Sequence, residues 1–257
     1  MLSIGQIESF YPVGLRPFKR NLIREYLQYK ILESIFNSEY GGSLVFMGGT
    51  AAHIIYGNTR FSEDLNFDNI GLSRKGFETL AGTIKKKLEL EGYTADLKNT
   101  FKGAYSSQIR LPGLLYENKL SLHKEESIMI KIDAEPQNFK YSPDKVILNK
   151  FDVFVRINAV SQDLLLAQKI LAIFKRKRPI GRDFYDAIFL MGKTGPDFKY
   201  LKAKLDIDSE ALLRQRLIER CQKLDFTQLT KDVEQFVYNA DDARKILLFY
   251  EYWKNAG

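Results

Sequence analysis

Apolar residues recur at intervals of three and four between residues 22 and 36, the spacing of a helix with one buried face. Short apolar runs bounded by glycine or polar residues follow, and such runs are typical of strands. The predicted strands cover 43–47, 65–67, 93–97, 104–111, 128–134 and 153–157. Helical spacing then returns at 162–176 and 183–191 and continues in amphipathic segments toward the C-terminus.

The separation of strands from helices along the chain predicts an α+β fold. We expect a mixed β-sheet domain over residues 1–159 and a helical domain over residues 160–257. Two further helices are predicted in the first domain, at 51–56 with Thr50 as its N-cap and at 76–91. Pro179 and Gly181 should separate the two long helices of the second domain.

Composition indicates a folded protein. Of the 257 residues, 45% are hydrophobic, which is enough to bury a sizeable core. No apolar run approaches the roughly 20 residues of a membrane helix, and the first residues do not resemble a signal peptide. Cys221 is the single cysteine, so an intrachain disulfide is impossible. We therefore expect a cytoplasmic protein without a membrane partner.

The chain is basic, with a formal net charge of +7. Six Lys or Arg and no acid lie between Lys169 and Arg182. Such a run suits a phosphate-binding surface, but a solvated helix end explains it equally well. The same two interpretations apply to Arg60.

The segment 46–68, FMGGTAAHIIYGNTRFSEDLNFD, is the most informative part of the chain. A Gly-Gly-Thr turn between a strand and a helix lets backbone N–H groups approach a phosphate. Asp64 is predicted to open the next strand, with Asn66 and Asp68 on the same face. Side chains two residues apart, about 6.6 Å, can share a metal ion, whereas Asp68 lies about 13 Å from Asp64. Surface acids after an ordinary turn would give the same local pattern.

This segment resembles the signature of the DNA-polymerase-β-like nucleotidyltransferases, a Gly and a small residue followed by Asp-hydrophobic-acid. Thirteen residues, 51–63, separate Gly49-Thr50 from Asp64, within the usual spacing. More narrowly, GGTAxxxxYGxxRFSEDL is similar to the AbiEii/AbiGii toxin family, whose active-site motif includes the positions of Ser62 and Asp64. Asn66 departs from the pattern, because the family has a second acid there. An amide oxygen binds a hard divalent cation less strongly than a carboxylate.

Two later segments extend the resemblance. The superfamily takes a third carboxylate from a later strand, for which Asp133 in IMIKIDA is the best match and Glu135 the second choice. In the block 164–190, the resemblance implies that Lys169 contacts the nucleotide and that Asp183 and Asp186 form an acidic motif. Without the resemblance, a surface lysine and acids near a helix N-terminus would explain these residues.

The resemblance implies a Mg²⁺-dependent enzyme that transfers a nucleoside monophosphate from an NTP, GTP or a pyrimidine NTP, to a hydroxyl. The implied acceptor is RNA, at a tRNA 3′ end, and the implied role is the toxin of a bacterial toxin–antitoxin or phage-defence pair with a separately encoded antitoxin. The predicted nucleotide-binding residues are Gly48, Gly49, Thr50, Ser62 and Lys169. The predicted metal ligands are Asp64, Asn66 and Asp133, and the predicted catalytic residues are Asp64, Lys169, Asp183 and Asp186.

Two alternatives stay open. The acceptor hydroxyl can belong to a protein side chain instead of RNA. Because Asn66 lacks charge, the chain can also be a nucleotide- or RNA-binding module without catalysis. Other chemistries lack their motifs: the sequence has no GxxxxGK[ST] loop, no GxGxxG and no GxSxG.

Overall fold

A computed structural model describes residues 2–255. The chain divides into two compact units. The first unit comprises Met1–Ala51, Ser62–Asn138 and Ser142–Ala159, and the second comprises Ala52–Phe61, Phe139–Tyr141 and Val160–Gly257. The predicted division into a domain of residues 1–159 and a domain of residues 160–257 stays a prediction.

The first unit is built on a mixed seven-stranded sheet with the order β3-β4-β5-β2-β1-β7-β6. Its strands are β1 (Leu44–Met47), β2 (Leu65–Asn69), β3 (Asp96–Thr100), β4 (Tyr105–Pro112), β5 (Ser127–Glu135), β6 (Asp144–Lys150) and β7 (Val153–Ala159). The β2–β5 and β1–β7 pairs are parallel, and the other pairs are antiparallel. The predicted α+β fold with a mixed sheet is confirmed.

The other strands agree with the prediction to within two residues at each end, but β3 and β6 differ more. β3 begins three residues later than predicted, because the Tyr93 N–H bonds to the Leu88 carbonyl (3.1 Å) after Gly92 turns the chain with a φ of +93°. The apolar Tyr93 and Ala95 are therefore buried before the strand starts. β6 was not predicted. Only Leu148 is buried in this edge strand, so its apolar pattern is too weak to recognise.

Helices of varied length accompany the sheet and form the second unit. They are α1 (Ile4–Glu8), α2 (Lys19–Phe36), α3 (Gly48–Ile54), α4 (Arg74–Leu90), α5 (Leu114–Glu117), α6 (Gln162–Lys175), α7 (Gly181–Met191), α8 (Phe198–Leu205), α9 (Glu210–Cys221), α10 (Phe226–Glu234), α11 (Ala240–Ala243) and α12 (Phe249–Asn255). In the first unit α2 packs against β7 and α4. None of the described helices is both long and apolar enough to cross a membrane.

Aromatic rings form part of the core of the second unit. The Phe184 ring lies 5.6 Å from that of Phe226 and 5.1 Å from that of Phe249, each in an edge-on arrangement. The first residue of α7, Gly181, lies so close to α10 that a Cβ atom would overlap the Leu229 carbonyl oxygen. A glycine is therefore required where the predicted break between α6 and α7 ends.

Candidate active site

The Gly-Gly-Thr turn joins β1 to α3 in the first unit. Gly48 adopts a φ of +82°, which side chains rarely tolerate. A Cβ atom there would lie 3.1 Å from both the Cβ and the Nδ2 atoms of Asn66, closer than an ordinary contact. Glycine at position 48 therefore brings the turn against β2, beside a predicted metal ligand.

Thr50 ties this turn to the segment that carries Asp64. Its buried hydroxyl donates a hydrogen bond to the Asp64 carbonyl and pairs with the Ser62 hydroxyl at 2.8 Å. The prediction that Thr50 caps α3 is wrong, because the helix begins at Gly48 and the hydroxyl is directed to the Asp64 segment instead. The side chain of Thr50 in the turn thus binds the backbone of the Ser-x-Asp motif, although Asp64 lies 14 positions later in the sequence.

A second anchor of the same segment was not predicted. The Gln28 amide on α2 donates to the carbonyls of Ser62 (2.9 Å) and Glu63 (3.0 Å). Gln28 is only 1% exposed. A polar residue among the apolar positions of α2 was the available signal, since buried amides require hydrogen-bond partners.

The predicted metal ligands lie on neighbouring strands or next to them. Asp64 was predicted to open the strand, but β2 begins one residue later, at Leu65, and Asp64 directly precedes it. Asn66 on β2 is the register partner of Asp133 on β5, so their side chains share a face of the sheet. Asp68 is buried, and its Oδ1 accepts a hydrogen bond from the Gln137 N–H at 2.8 Å. Asp68 therefore contacts the main chain that follows β5.

A cavity of about 470 Å³ opens on this face of the first unit. Its lining includes Asn66 and Asp133, together with Lys131 on β5 and Gln108 on β4. The Lys131 ammonium lies 2.6 Å from Asp133 Oδ2. The other oxygen, Oδ1, is buried and accepts no hydrogen bond from the described part of the chain. Asp133 thus retains an unsatisfied acceptor beside Asn66, at the position that the resemblance assigns to a metal ligand.

The side-chain oxygens of Asp64, Asn66 and Asp133 are suited to bind a divalent cation. Carboxylate and amide oxygens are the ligands that Mg²⁺ prefers. Among residues 2–255, no group of three or more His, Cys, Asp or Glu is arranged to hold a metal ion. The predicted ligand set contains two carboxylates, those of Asp64 and Asp133, and the amide of Asn66. The residues present are compatible with a site of low charge built from Asp64, Asn66 and Asp133.

The second unit contains a buried cluster of charges around Asp186. Its Oδ1 accepts from Arg60 Nε (2.6 Å) and from Asn58 Nδ2 (2.7 Å). Its Oδ2 lies 2.7 Å from both Arg60 Nη2 and Lys169 Nζ. Lys169 is also 3.3 Å from Asp183 Oδ1. The three residues of the predicted later motifs, Lys169, Asp183 and Asp186, are therefore in contact within this unit.

The charges in this cluster keep Asp186 ionised. Burial opposes its ionisation, but the nearby charges of Arg60 and Lys169 outweigh burial and lower its pKa to about 2. The pKa of Arg60 is raised for the matching reason: burial favours the neutral guanidinium, and Asp186 more than compensates. Asp186 consequently has no tendency to accept a proton near neutral pH. Its geometry is that of a residue that positions Lys169 and Arg60.

The cationic residues divide into buried and exposed members. Arg60 is 2% exposed and directed at Asp186, which argues against the phosphate-binding interpretation. Arg176 Nε lies 2.7 Å from Asp183 Oδ2, and the Arg182 guanidinium lies 4.5 Å from the centre of the Phe236 ring. The exposed residues of the run are Lys175, Arg176, Lys177 and Arg178.

Comparisons with known proteins agree with this architecture. JHP933 from Helicobacter pylori has 17% identity and a TM-score of 0.55, over 92% of this chain and 94% of that chain. MenT4, a nucleotidyltransferase toxin from Mycobacterium tuberculosis, has 13% identity and a TM-score of 0.60, over 99% of this chain and 90% of that chain. At these identities the likeness shows the fold alone. No match was found among curated proteins.

A family model gives the assignment. The model described as "Nucleotidyl transferase AbiEii toxin, Type IV TA system" matches residues 30–251, which is most of the chain. The match includes both the Gly-Gly-Thr to Asp64 segment and the Lys169 to Asp186 segment. The predicted resemblance is confirmed: the chain belongs to the AbiEii nucleotidyltransferase toxin family and is a nucleotidyltransferase.

Proposed function

We propose that this enzyme transfers a nucleoside monophosphate from an NTP to a hydroxyl at the 3′ end of an RNA, with tRNA as the expected acceptor. Family membership implies an NTP substrate and an antitoxin partner. The proposal rests mainly on one observation in the first unit. The Gly48 turn lies against Asn66, and Asn66 is the register partner of Asp133 on the neighbouring strand. The hydrogen bond from Thr50 to Asp64 joins the last member of the motif to the same turn.

Asp64, Asn66 and Asp133 would hold one Mg²⁺ ion. When bound, Mg²⁺ neutralises charge on the triphosphate and on the pyrophosphate as it leaves. Asn66 adds an oxygen ligand without charge, so Asp64 and Asp133 supply the negative charge of the site. The unsatisfied Oδ1 of Asp133 supports its place in this set.

The turn residues are assigned to the triphosphate. The N–H groups of Gly48 and Gly49 are among the first of α3, where no preceding helical carbonyl can accept them. Ser62 is a partly exposed residue, and its hydroxyl, which pairs with that of Thr50, is assigned to the triphosphate. Thr50 acts differently: because it is buried and bonded to the Asp64 carbonyl, it positions the main chain of Asp64.

In the proposed reaction the oxygen of the acceptor hydroxyl forms a bond to the α-phosphorus, the bond to pyrophosphate breaks, and the hydroxyl proton passes to solvent or a base. Positioning of the reactants and fixed charges supply much of the acceleration. The net charge of +7 and the exposed run from Lys175 to Arg178 favour an RNA acceptor over a protein hydroxyl. The resemblance assigns Lys169 to the nucleotide, and its contacts with Asp183 and Asp186 supply a means of orienting it.

A label-transfer assay tests the proposal. The protein is incubated with total tRNA, Mg²⁺ and each α-³²P-labelled NTP, beside Asp64→Asn and a matched Asp96→Asn control at an exposed position of β3. We expect RNase-sensitive label with wild type and Asp96→Asn, and none with Asp64→Asn or with EDTA. RNase-resistant label on protein would reassign the acceptor. Nucleotide binding without release of pyrophosphate would contradict the proposed transfer and favour a binding module.

A further inference from the structure

Lys131 already supplies a positive charge to a proposed metal ligand. Lys131 and Asp133 lie two residues apart on β5 and therefore share a face. The ammonium is 2.6 Å from Asp133 Oδ2, and the side chains are 36% and 24% exposed. Oδ1 of the same carboxylate is buried and accepts no hydrogen bond from the described residues. The two oxygens of Asp133 are thus in different environments.

The Lys131 ammonium and a metal ion would compete for Oδ2 of Asp133. A Mg²⁺ ion binds oxygen at about 2.0–2.1 Å, so an ion on Oδ2 would lie within a few ångströms of Lys131 Nζ. Two cations at that separation repel each other strongly unless more negative charge surrounds them. The register partner of Asp133 on β2 is the neutral Asn66, which adds none.

The charge of the surrounding cavity leads to the same conclusion. Its ionisable lining consists of two lysines, Lys102 and Lys131, and two acids, Asp133 and Glu135, so the formal charges cancel. With Asp64, the remaining proposed acidic ligand, the site has a formal charge of −1, so a pair of divalent cations would raise it to +3, whereas a single cation would raise it to +1. A single cation held by Asp64, Asn66 and Oδ1 of Asp133 does not require Lys131 to leave.

We infer that this chain binds one divalent cation and that the Lys131 ammonium takes the place of a second cation at Asp133. The inference rests on the proposed metal-dependent function. The inference also relates Asn66 to Lys131. The family has an acid at the position of Asn66, and in this chain, where that acid is absent from β2, Lys131 on β5 neutralises part of the charge of Asp133. Lys131 is accordingly a positioning residue.

The test counts bound ions directly. Mn²⁺ is titrated into the full-length wild-type protein and free Mn²⁺ is followed by electron paramagnetic resonance, without nucleotide or acceptor. The variants are Lys131→Met, Lys131→Gln and the double variant Asn66→Asp/Lys131→Met, with Lys102→Met as the control that changes the net charge of the same cavity equally. Circular dichroism identifies the variants that fold. Two substitutions of Lys131 are included so that the test can proceed if one of them does not fold.

We expect one Mn²⁺ per wild-type chain, and the same number with only a small gain in affinity in Lys102→Met. Binding should be about tenfold tighter in Lys131→Met or Lys131→Gln, because Lys131 contacts Asp133, and the double variant should bind two ions. Two ions in wild type would overturn the inference. So would equal affinity in the Lys131 and Lys102 variants, or no Mn²⁺ binding at all. Failure of the proposed function is separate: it would appear as one Mn²⁺ bound with the expected Lys131 effect but no nucleotide transferred to RNA.

Discussion

The buried guanidinium of Arg60 donates two hydrogen bonds to Asp186, from Nε to Oδ1 at 2.6 Å and from Nη2 to Oδ2 at 2.7 Å. Arg60 belongs to the segment immediately before the Ser-x-Asp motif, and Asp186 belongs to the acidic motif of α7. A bidentate pair of this kind fixes both orientation and distance. Within the second unit it therefore anchors segment 52–61 to α7.

Removal of Arg60 should destabilise the protein strongly. Arg60→Met keeps much of the side-chain length but leaves Asp186 buried with one fewer cation, at an expected cost of about 3–5 kcal/mol in the free energy of unfolding. Urea unfolding followed by the fluorescence of Trp253, the single tryptophan, measures this. Arg244→Met is the matched control, because the Arg244–Asp241 pair is exposed. Equal midpoints for the two variants would contradict the expectation.

The same cluster predicts a dependence of stability on pH. The pKa of Asp186, lowered to about 2, lies below the value of about 3.9 for an unfolded aspartate. Its ionised form therefore stabilises the fold fully above about pH 4, by on the order of 2 kcal/mol, and the contribution is lost as the pH falls toward 2. Asp186→Asn should be less stable than wild type at pH 7, and the difference in unfolding free energy should shrink below pH 4. A difference that stays constant from pH 7 to pH 3 would rule this out.

Local patterns predicted the parts of the fold and of the site that depend on neighbouring residues. The turn at Gly48 needs glycine for its positive φ, and the strands on either side have buried apolar residues, so the β1–α3–β2 segment was recognisable. The edge strand β6 was missed because one buried residue, Leu148, does not form a pattern.

Contacts between distant residues were beyond reach of the sequence. Arg60 and Asp186 are 126 residues apart, and Gln28 and Ser62 are 34 apart. Each of these residues is polar, and the residues next to it in the sequence do not indicate which distant residue it contacts. The sequence places Lys131 and Asp133 on one face of β5, because residues two apart on a strand share a face. Whether their side chains are in contact depends on their rotamers, which the sequence does not specify.

Lys169 offers a test of the role that the resemblance implies. If its ammonium contacts the NTP, Lys169→Met should lower kcat/KM for the NTP by at least about tenfold, equal to about 1.4 kcal/mol of transition-state stabilisation. Lys169→Arg should recover part of the loss, because the charge near Asp183 and Asp186 is retained. Steady-state label transfer and urea unfolding are measured on the same preparations. A loss of stability without any change in kcat/KM would assign Lys169 to the structure of the cluster alone.

Gly48→Ala should impair transfer through local geometry. The added Cβ meets a φ of +82° and lies 3.1 Å from Asn66, so we expect a loss of about 1–3 kcal/mol in stability and at least tenfold slower label transfer. Gly57→Ala is the matched control: its φ is +78°, but its Cβ would enter open space. That variant should lose stability from backbone strain and keep its transfer rate. Equal transfer rates in the two variants would show that contact with Asn66 is unimportant.

Thr50 provides the sharpest test of how the motif is held together. Thr50→Val has nearly the same shape but removes the donor to the Asp64 carbonyl, and loss of a hydrogen bond made by this buried side chain costs about 1–3 kcal/mol. Thr50→Ser keeps the hydroxyl and loses only a methyl group. We therefore expect the serine variant to transfer label at close to the wild-type rate and the valine variant to be at least tenfold slower, with a lower urea midpoint. Because Thr50 is buried, the slower rate would arise from displacement of the Asp64 main chain. If both variants were equally slow, the hydroxyl would not be the group that matters, and the methyl packing of Thr50 would take its place in the explanation.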